Sequence, residues 1–77
     1  MNHVVTRAAY HFHCANGTRR VEAGTIVQFY PCGRSTYLRA PCGAYMKMFH
    51  GAALLCVRPL TPLEALARVL EINGALD

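Results

Sequence analysis

The 77-residue sequence contains no tryptophan, one aspartate (Asp77), one serine (Ser35) and only four acidic side chains in all. A Ser, His and Asp relay needs a buried acid to orient its histidine. Here the only Asp stands at the end of the sequence and the only Ser in a turn-rich stretch, so acyl-transfer chemistry is not expected. There is no G-x-x-x-x-G-K-[ST] or G-x-G-x-x-G, and the six glycines fall where turns or bulges want them, which argues against a phosphate loop. Cys14 follows His13 directly, but neighbours on a strand point to opposite faces. That adjacency therefore does not assemble a thiolate with its base, and no enzymatic activity and no cofactor are expected.

Long apolar runs are missing as well. The longest, Ala52 to Val57, is far short of the roughly 20 residues that cross a bilayer, so no membrane span is expected. The first residues lack the uninterrupted apolar stretch and small-residue cleavage site of a secretory signal. The expected location is therefore cytoplasmic. Cys14, Cys32, Cys42 and Cys56 are spaced by 18, 10 and 14 positions, which matches no C-x-x-C pattern. With no export signal they are expected to be free, buried thiols.

Charge is also scarce: charged residues make up 16% and apolar residues 53%, against about 25% charged in ordinary globular chains. Some apolar surface is therefore expected to remain for a partner. The net charge of +4 is uneven. Residues 1–60 hold seven Lys or Arg against Glu22 alone, whereas residues 61–77 hold Arg68 against Glu64, Glu71 and Asp77.

What the chain does have is strand periodicity. From Ala8 to Cys14, Tyr10, Phe12 and Cys14 alternate with His11 and His13. Asn16-Gly17 reads as the centre of a tight hairpin turn that would pair Cys14 with Arg19, Phe12 with Val21 and His11 with Glu22. Gly24 suits a bulge in the second strand, which resumes over Thr25 to Tyr30. Ser35 to Ala40, Ala44 to Phe49 and the apolar Ala52 to Arg58 complete five strands, separated by Pro31-Cys32-Gly33, Pro41-Cys42-Gly43 and His50-Gly51. The two Pro-Cys-Gly pieces should lie at opposite ends of the sheet, out of disulfide reach.

Thr61-Pro62-Leu63-Glu64 is a helix start with a capping box, and Asn73-Gly74 supplies a stop. At 100° per residue, Leu63, Leu66, Ala67 and Leu70 form one apolar stripe, and Glu64, Arg68 and Glu71 a charged one with Glu64 to Arg68 at i,i+4 spacing. Ala65, Val69 and Ile72 form a second apolar stripe. The expectation is one domain over 1–77, too short for a second core. It is mainly β (α+β): a five-stranded antiparallel barrel or curled sheet of SH3-like size over 1–60, with one C-terminal amphipathic helix over 61–74.

Three constellations could bind something. The second helix stripe, Ala65, Val69 and Ile72 with Leu76 nearby, is more apolar surface than one sheet needs. It points to another protein or a second copy of this chain, unless a deep groove buries both stripes. Arg34, Arg39 and Lys47 interleave with Tyr30, Tyr37, Tyr45 and Phe49, the pattern of a nucleic-acid face made from phosphate contacts and base stacking, with Arg34, Tyr37, Arg39, Tyr45 and Lys47 as the candidate contacts. The competing reading of these aromatics is core or barrel rim. His11, His13 and Glu22 would converge on one hairpin face if the register above holds, a candidate zinc set whose plainer reading is a solvated face. No metal is expected. The favoured expectation is a non-enzymatic protein-binding module, an adaptor, inhibitor or self-assembling accessory protein of the type phages and mobile elements carry. The alternative is a basic nucleic-acid-binding domain.

Overall fold

The computed structural model describes residues 2–75, with side chains over residues 3–70. Seven strands and two helices follow in the order β1 (Asn2–Thr6), β2 (Tyr10–Cys14), β3 (Gly17–Val21), β4 (Ile26–Cys32), β5 (Ser35–Arg39), β6 (Tyr45–Phe49), α1 (His50–Cys56), β7 (Val57–Pro59) and α2 (Pro62–Ala75). The strands form a single curled antiparallel sheet, a half-barrel, in the order β3-β2-β6-β5-β4-β1-β7. The β-rich class is as expected, with seven strands in place of five and two helices in place of one.

Alternation sets the two faces. Val27 and Phe29 on β4, Thr36 and Leu38 on β5, and Phe12 on β2 turn inward and are buried, while Gln28, Tyr37 and Arg39 turn outward. The inner face closes over a core of Phe12, Val21, Val27, Phe29, Leu38, Ala40, Ala44, Ala53 and Val57. Burying a Val, Leu or Phe side chain stabilises by roughly 1.5–3 kcal/mol, so this short list carries most of the fold.

The expected strand over Ala52 to Arg58 is instead α1 followed by the short β7. An apolar run of this length has no periodicity that separates strand from helix, and Ala-Ala-Leu-Leu favours the helix. Ala53 alone of α1 is fully buried, with Cys56 half-buried beside the core. β1, which the sequence pattern did not mark, fills the centre of one end of the sheet between β4 and β7.

The hairpin register also differs. Tyr10 pairs with Val21, His11 with Arg20 and Cys14 with Gly17, two residues from the expected pairing. Ala15 and Asn16 turn with ordinary negative φ and Gly17 follows at φ 123°, a left-handed position that favours glycine. Because the shift is two residues, each side chain keeps its face but changes its partner.

At Gly24 the chain does not bulge within one strand; it turns a corner, and β3 and β4 end up separated by β2, β6 and β5. Thr6, buried on β1, ties that corner. Its hydroxyl donates to the Glu22 carbonyl at 2.9 Å and accepts from the Thr25 amide at 3.1 Å, while its carbonyl accepts from the Gly24 amide at 2.9 Å. Thr6→Val keeps the shape but strands the Thr25 amide, which should cost about 1–3 kcal/mol. Thr18→Val on the exposed β3 should cost under about 0.5 kcal/mol. Urea titration of both variants checks the pair, and equal effects would remove Thr6 from this role.

None of the four cysteines is paired. Cys14 and Cys56 are half-buried, but Cys32 and Cys42 are exposed, not buried as expected, at opposite ends of β5. No helix among the described residues is long and apolar enough to cross a membrane.

Candidate functional site

Two surfaces stand out, and the first is built on α2. Its start follows the capping-box geometry: the Thr61 hydroxyl accepts from the Glu64 amide at 3.2 Å, and the Glu64 carboxylate accepts from the Thr61 amide at 2.9 Å. The same carboxylate takes both guanidinium nitrogens of Arg58 on β7, at 2.8 and 3.1 Å. Glu64 therefore pairs with Arg58 and not with Arg68 as the helical spacing suggested. The Arg58 guanidinium, and after it the Thr61 amide, hold the Glu64 carboxyl at about 2, down from 4.5.

A carboxyl depressed in the folded chain contributes stability above its unfolded value and loses it as pH falls through the folded one. The docking of α2 should therefore be constant down to about pH 4.5 and fade between that value and about 2. Far-UV circular dichroism against pH checks this. Glu64→Gln should lose helix signal at pH 7 and remove this part of the pH dependence; an unchanged profile would mean the pair does not anchor the helix.

Among residues 62–70 only Glu64 and Arg68 are even half-buried. Leu63, Leu66, Val69 and Leu70 are 75%, 54%, 52% and 60% exposed, and Ala65 is exposed with them. Neither apolar stripe covers the sheet, and no groove buries them. On a helical projection these residues and Ala67 fill a continuous arc of about 200°, opposite the narrow charged arc. The helix thus turns its charged side to its own body and its apolar side outward. The radius of gyration, 12.8 Å, exceeds the roughly 11.5 Å of a compact chain this long, as a projecting helix requires. Ala65 and Val69 are where the sequence placed them; the side chain of Ile72 and all of Leu76 lie outside the described residues. Leu63, Leu66 and Leu70 are not the sheet-covering stripe that their spacing suggests, since apolar periodicity gives the width of a helix face but not the direction it turns.

The second surface is the outer face of β5 and β6. The ladder sets Tyr37 opposite Lys47 and Arg39 opposite Tyr45. The Lys47 ammonium stands 5.7 Å from the Tyr37 ring centroid, within cation–π range. The Tyr37 and Tyr45 rings are 6.3 Å apart and tilted by 49°, and His13 lies 5.8 Å from Tyr45. Tyr37, Arg39, Tyr45 and Lys47 therefore share one face. Arg34 does not: it sits exposed in the turn between β4 and β5, where its carbonyl accepts from the His50 amide at 3.0 Å. Tyr30, opposite Tyr37 on β4, lies on the same face.

The hairpin face does not gather a ligand set. His11 and His13 share a side, but Glu22 is not opposite His11, and its carboxylate accepts from the Arg20 guanidinium at 2.8 Å. Among the described residues no three His, Cys, Asp or Glu side chains are grouped to hold a metal ion.

The arrangement defines a small antiparallel half-barrel with an outward-facing apolar helix and a tyrosine-rich basic sheet face. The chain matches no family model, no curated protein and no solved structure.

Proposed function

We propose that this chain is a non-enzymatic protein-binding module that assembles with a second copy of itself through α2. The observation that carries the reading is the reversed polarity of that helix, with Glu64 and Arg68 toward the body and Leu63, Leu66, Val69 and Leu70 toward solvent. Exposed leucines of this density on one element mark an interaction surface. Leu63, Leu66 and Leu70 recur at the alternating spacing of three and four that forms a self-complementary seam between paired helices. That favours a second copy over an unrelated partner, because a two-fold interface uses the same patch on both sides. Two 14-residue helices of about 21 Å are a small interface alone. Leu54 and Leu55 on α1 and Phe49 on β6 are also exposed, by 53%, 78% and 76%, and a specific dimer, which needs roughly 1,000 Å², would have to reach beyond α2.

Light scattering on a sizing column, run at low and high salt with absorbance at 260 and 280 nm, tests it. A dimer or larger species that persists at high salt without excess 260 nm absorbance supports assembly through the helix. A monomer at high concentration contradicts it.

A second reading rests on the outer sheet face, where Tyr37, Arg39, Tyr45 and Lys47 stand together as a stacking and phosphate-contact surface for single-stranded nucleic acid. In that case, Arg39→Gln and Lys47→Gln should each weaken oligonucleotide binding and reduce its salt slope by about one, and the helix variants should leave it unchanged.

A further inference from the structure

On the outer face, at the opposite end of the β5 row from Lys47, the sheet and α2 border an open cavity of about 270 Å³ lined in part by His3, Ile26, Gln28, Arg39, Pro41 and Arg68. The ladders place His3 opposite Gln28 and Gln28 opposite Arg39, so three polar side chains stand in one row across β1, β4 and β5. Arg68 reaches the cavity from α2. Two guanidiniums have no acceptor. The Gln28 carbonyl oxygen already accepts from the Tyr30 hydroxyl at 2.9 Å, which leaves its amide nitrogen as the donor.

The imidazole supplies a further group: His3 Nε2 is buried and has no hydrogen-bond partner among the described residues. Buried polar atoms in native chains are nearly always bonded, so such an atom calls for a partner. No carboxylate lines the cavity. A concave site with two fixed positive charges and no carboxylate selects an anion. Its volume lies just under the roughly 300–1,000 Å³ of pockets for drug-sized ligands.

We propose that this cavity is a binding site for a phosphate oxyanion, held by Arg39 and Arg68 with a donor from Gln28 and with the His3 imidazole in its wall. Burial, and then the Arg68 charge, lower the His3 pKa, and an anion between them offsets the second of these. Binding therefore draws a proton onto His3. The charges acting on that imidazole are Arg68 from α2 and the amino terminus, and Arg39 from β5 shares the cavity lining. Because Arg68 belongs to α2, the anion also ties the helix to the sheet and fixes which side of it faces outward.

The test is a titration of the whole chain with inorganic phosphate at pH 7, with ionic strength held by sodium chloride, followed by calorimetry and the imidazole NMR signals. Phosphate should saturate the site and shift His3 toward its protonated position, while His11 and His13, on the exposed hairpin, stay still. Arg39→Gln and Arg68→Gln, both surface changes, should each weaken phosphate binding about tenfold, the loss of one charge-assisted contact. Lys47→Gln should change it by less than about twofold. Adenosine monophosphate in place of phosphate separates two sources of the anion: tighter binding with shifts at Tyr37 and Tyr45 assigns a nucleotide, and equal binding assigns the bare phosphoryl group. A phosphate response no greater than that of chloride, or one shared by all the histidines, overturns the site.

Discussion

A chain carrying Leu66→Asp and Val69→Asp together is expected to run as a folded monomer at concentrations where the unaltered chain is a dimer, with a urea midpoint equal to that of the unaltered chain diluted to monomer. Both side chains are about half exposed on α2, so in the isolated chain the aspartates meet water and remove no packing. In a helix pair the same positions are sealed on both copies, so four apolar side chains are lost. Each is already about half buried in the single chain and forfeits about half of the roughly 1.5–3 kcal/mol of a full burial, which weakens association by about 10² to 10⁴-fold. The new charges add repulsion across a two-fold interface, which brings the aspartates of both copies into one patch. Sedimentation across a concentration series measures the association, and urea titration the fold. If the variant unfolds, α2 belongs to its own core and the assembly reading is wrong. If it stays dimeric, the contact lies elsewhere. Arg34→Gln and Arg39→Gln should leave the dimer intact, since neither lies on the seam.

Those contrasts separate what local sequence determines from what only tertiary pairing determines. The start of α2 was legible because a capping box is closed by residues three apart, Thr61 and Glu64. Its end was not: Asn73-Gly74 signals a stop, yet the helix continues to Ala75, within the one or two residues by which helix ends vary. The direction of its apolar face was also hidden, because it is set by Arg58, six residues away on a different element, capturing the Glu64 carboxylate.

The sheet repeats this at longer range. Alternation placed Tyr37 with Arg39 and Tyr45 with Lys47 on outward sides, and the two pairs became one surface only because β5 and β6 are neighbours in register. Alternation survives a two-residue slip, which is why the hairpin faces were right and the His11 to Glu22 pairing was not. Gly24 has the local setting of a bulge because the residues on both sides favour strands. What makes it a corner is Thr6, far earlier in the chain and invisible to any local window. The phosphate cavity lay further still from view, since His3, Gln28, Arg39 and Arg68 come from four elements.

The core prediction with the largest effect concerns the least anchored part of the sheet. The β2-β3 hairpin joins the body by a ladder of only one residue pair, His13 with Tyr45, so side chains must hold it in place. Phe12, fully buried on β2, and Val21, opposite Tyr10 on β3, supply that hold from the inner face. Phe12→Ala should cost about 3–5 kcal/mol. A chain of this length has a total stability of about 4–12 kcal/mol, so the variant stands close to unfolding at room temperature. His11→Ala, one position away and facing water, should shift stability by less than about 0.5 kcal/mol. Urea titration measures both. Amide hydrogen exchange adds the spatial test: in the Phe12 variant, protection should fall first over residues 10–21, because the hairpin detaches before β4, β5 and β6 open. Uniform loss of protection would mean that the hairpin and the rest of the sheet unfold as one unit, and that Phe12 holds the whole core and not one flap of it.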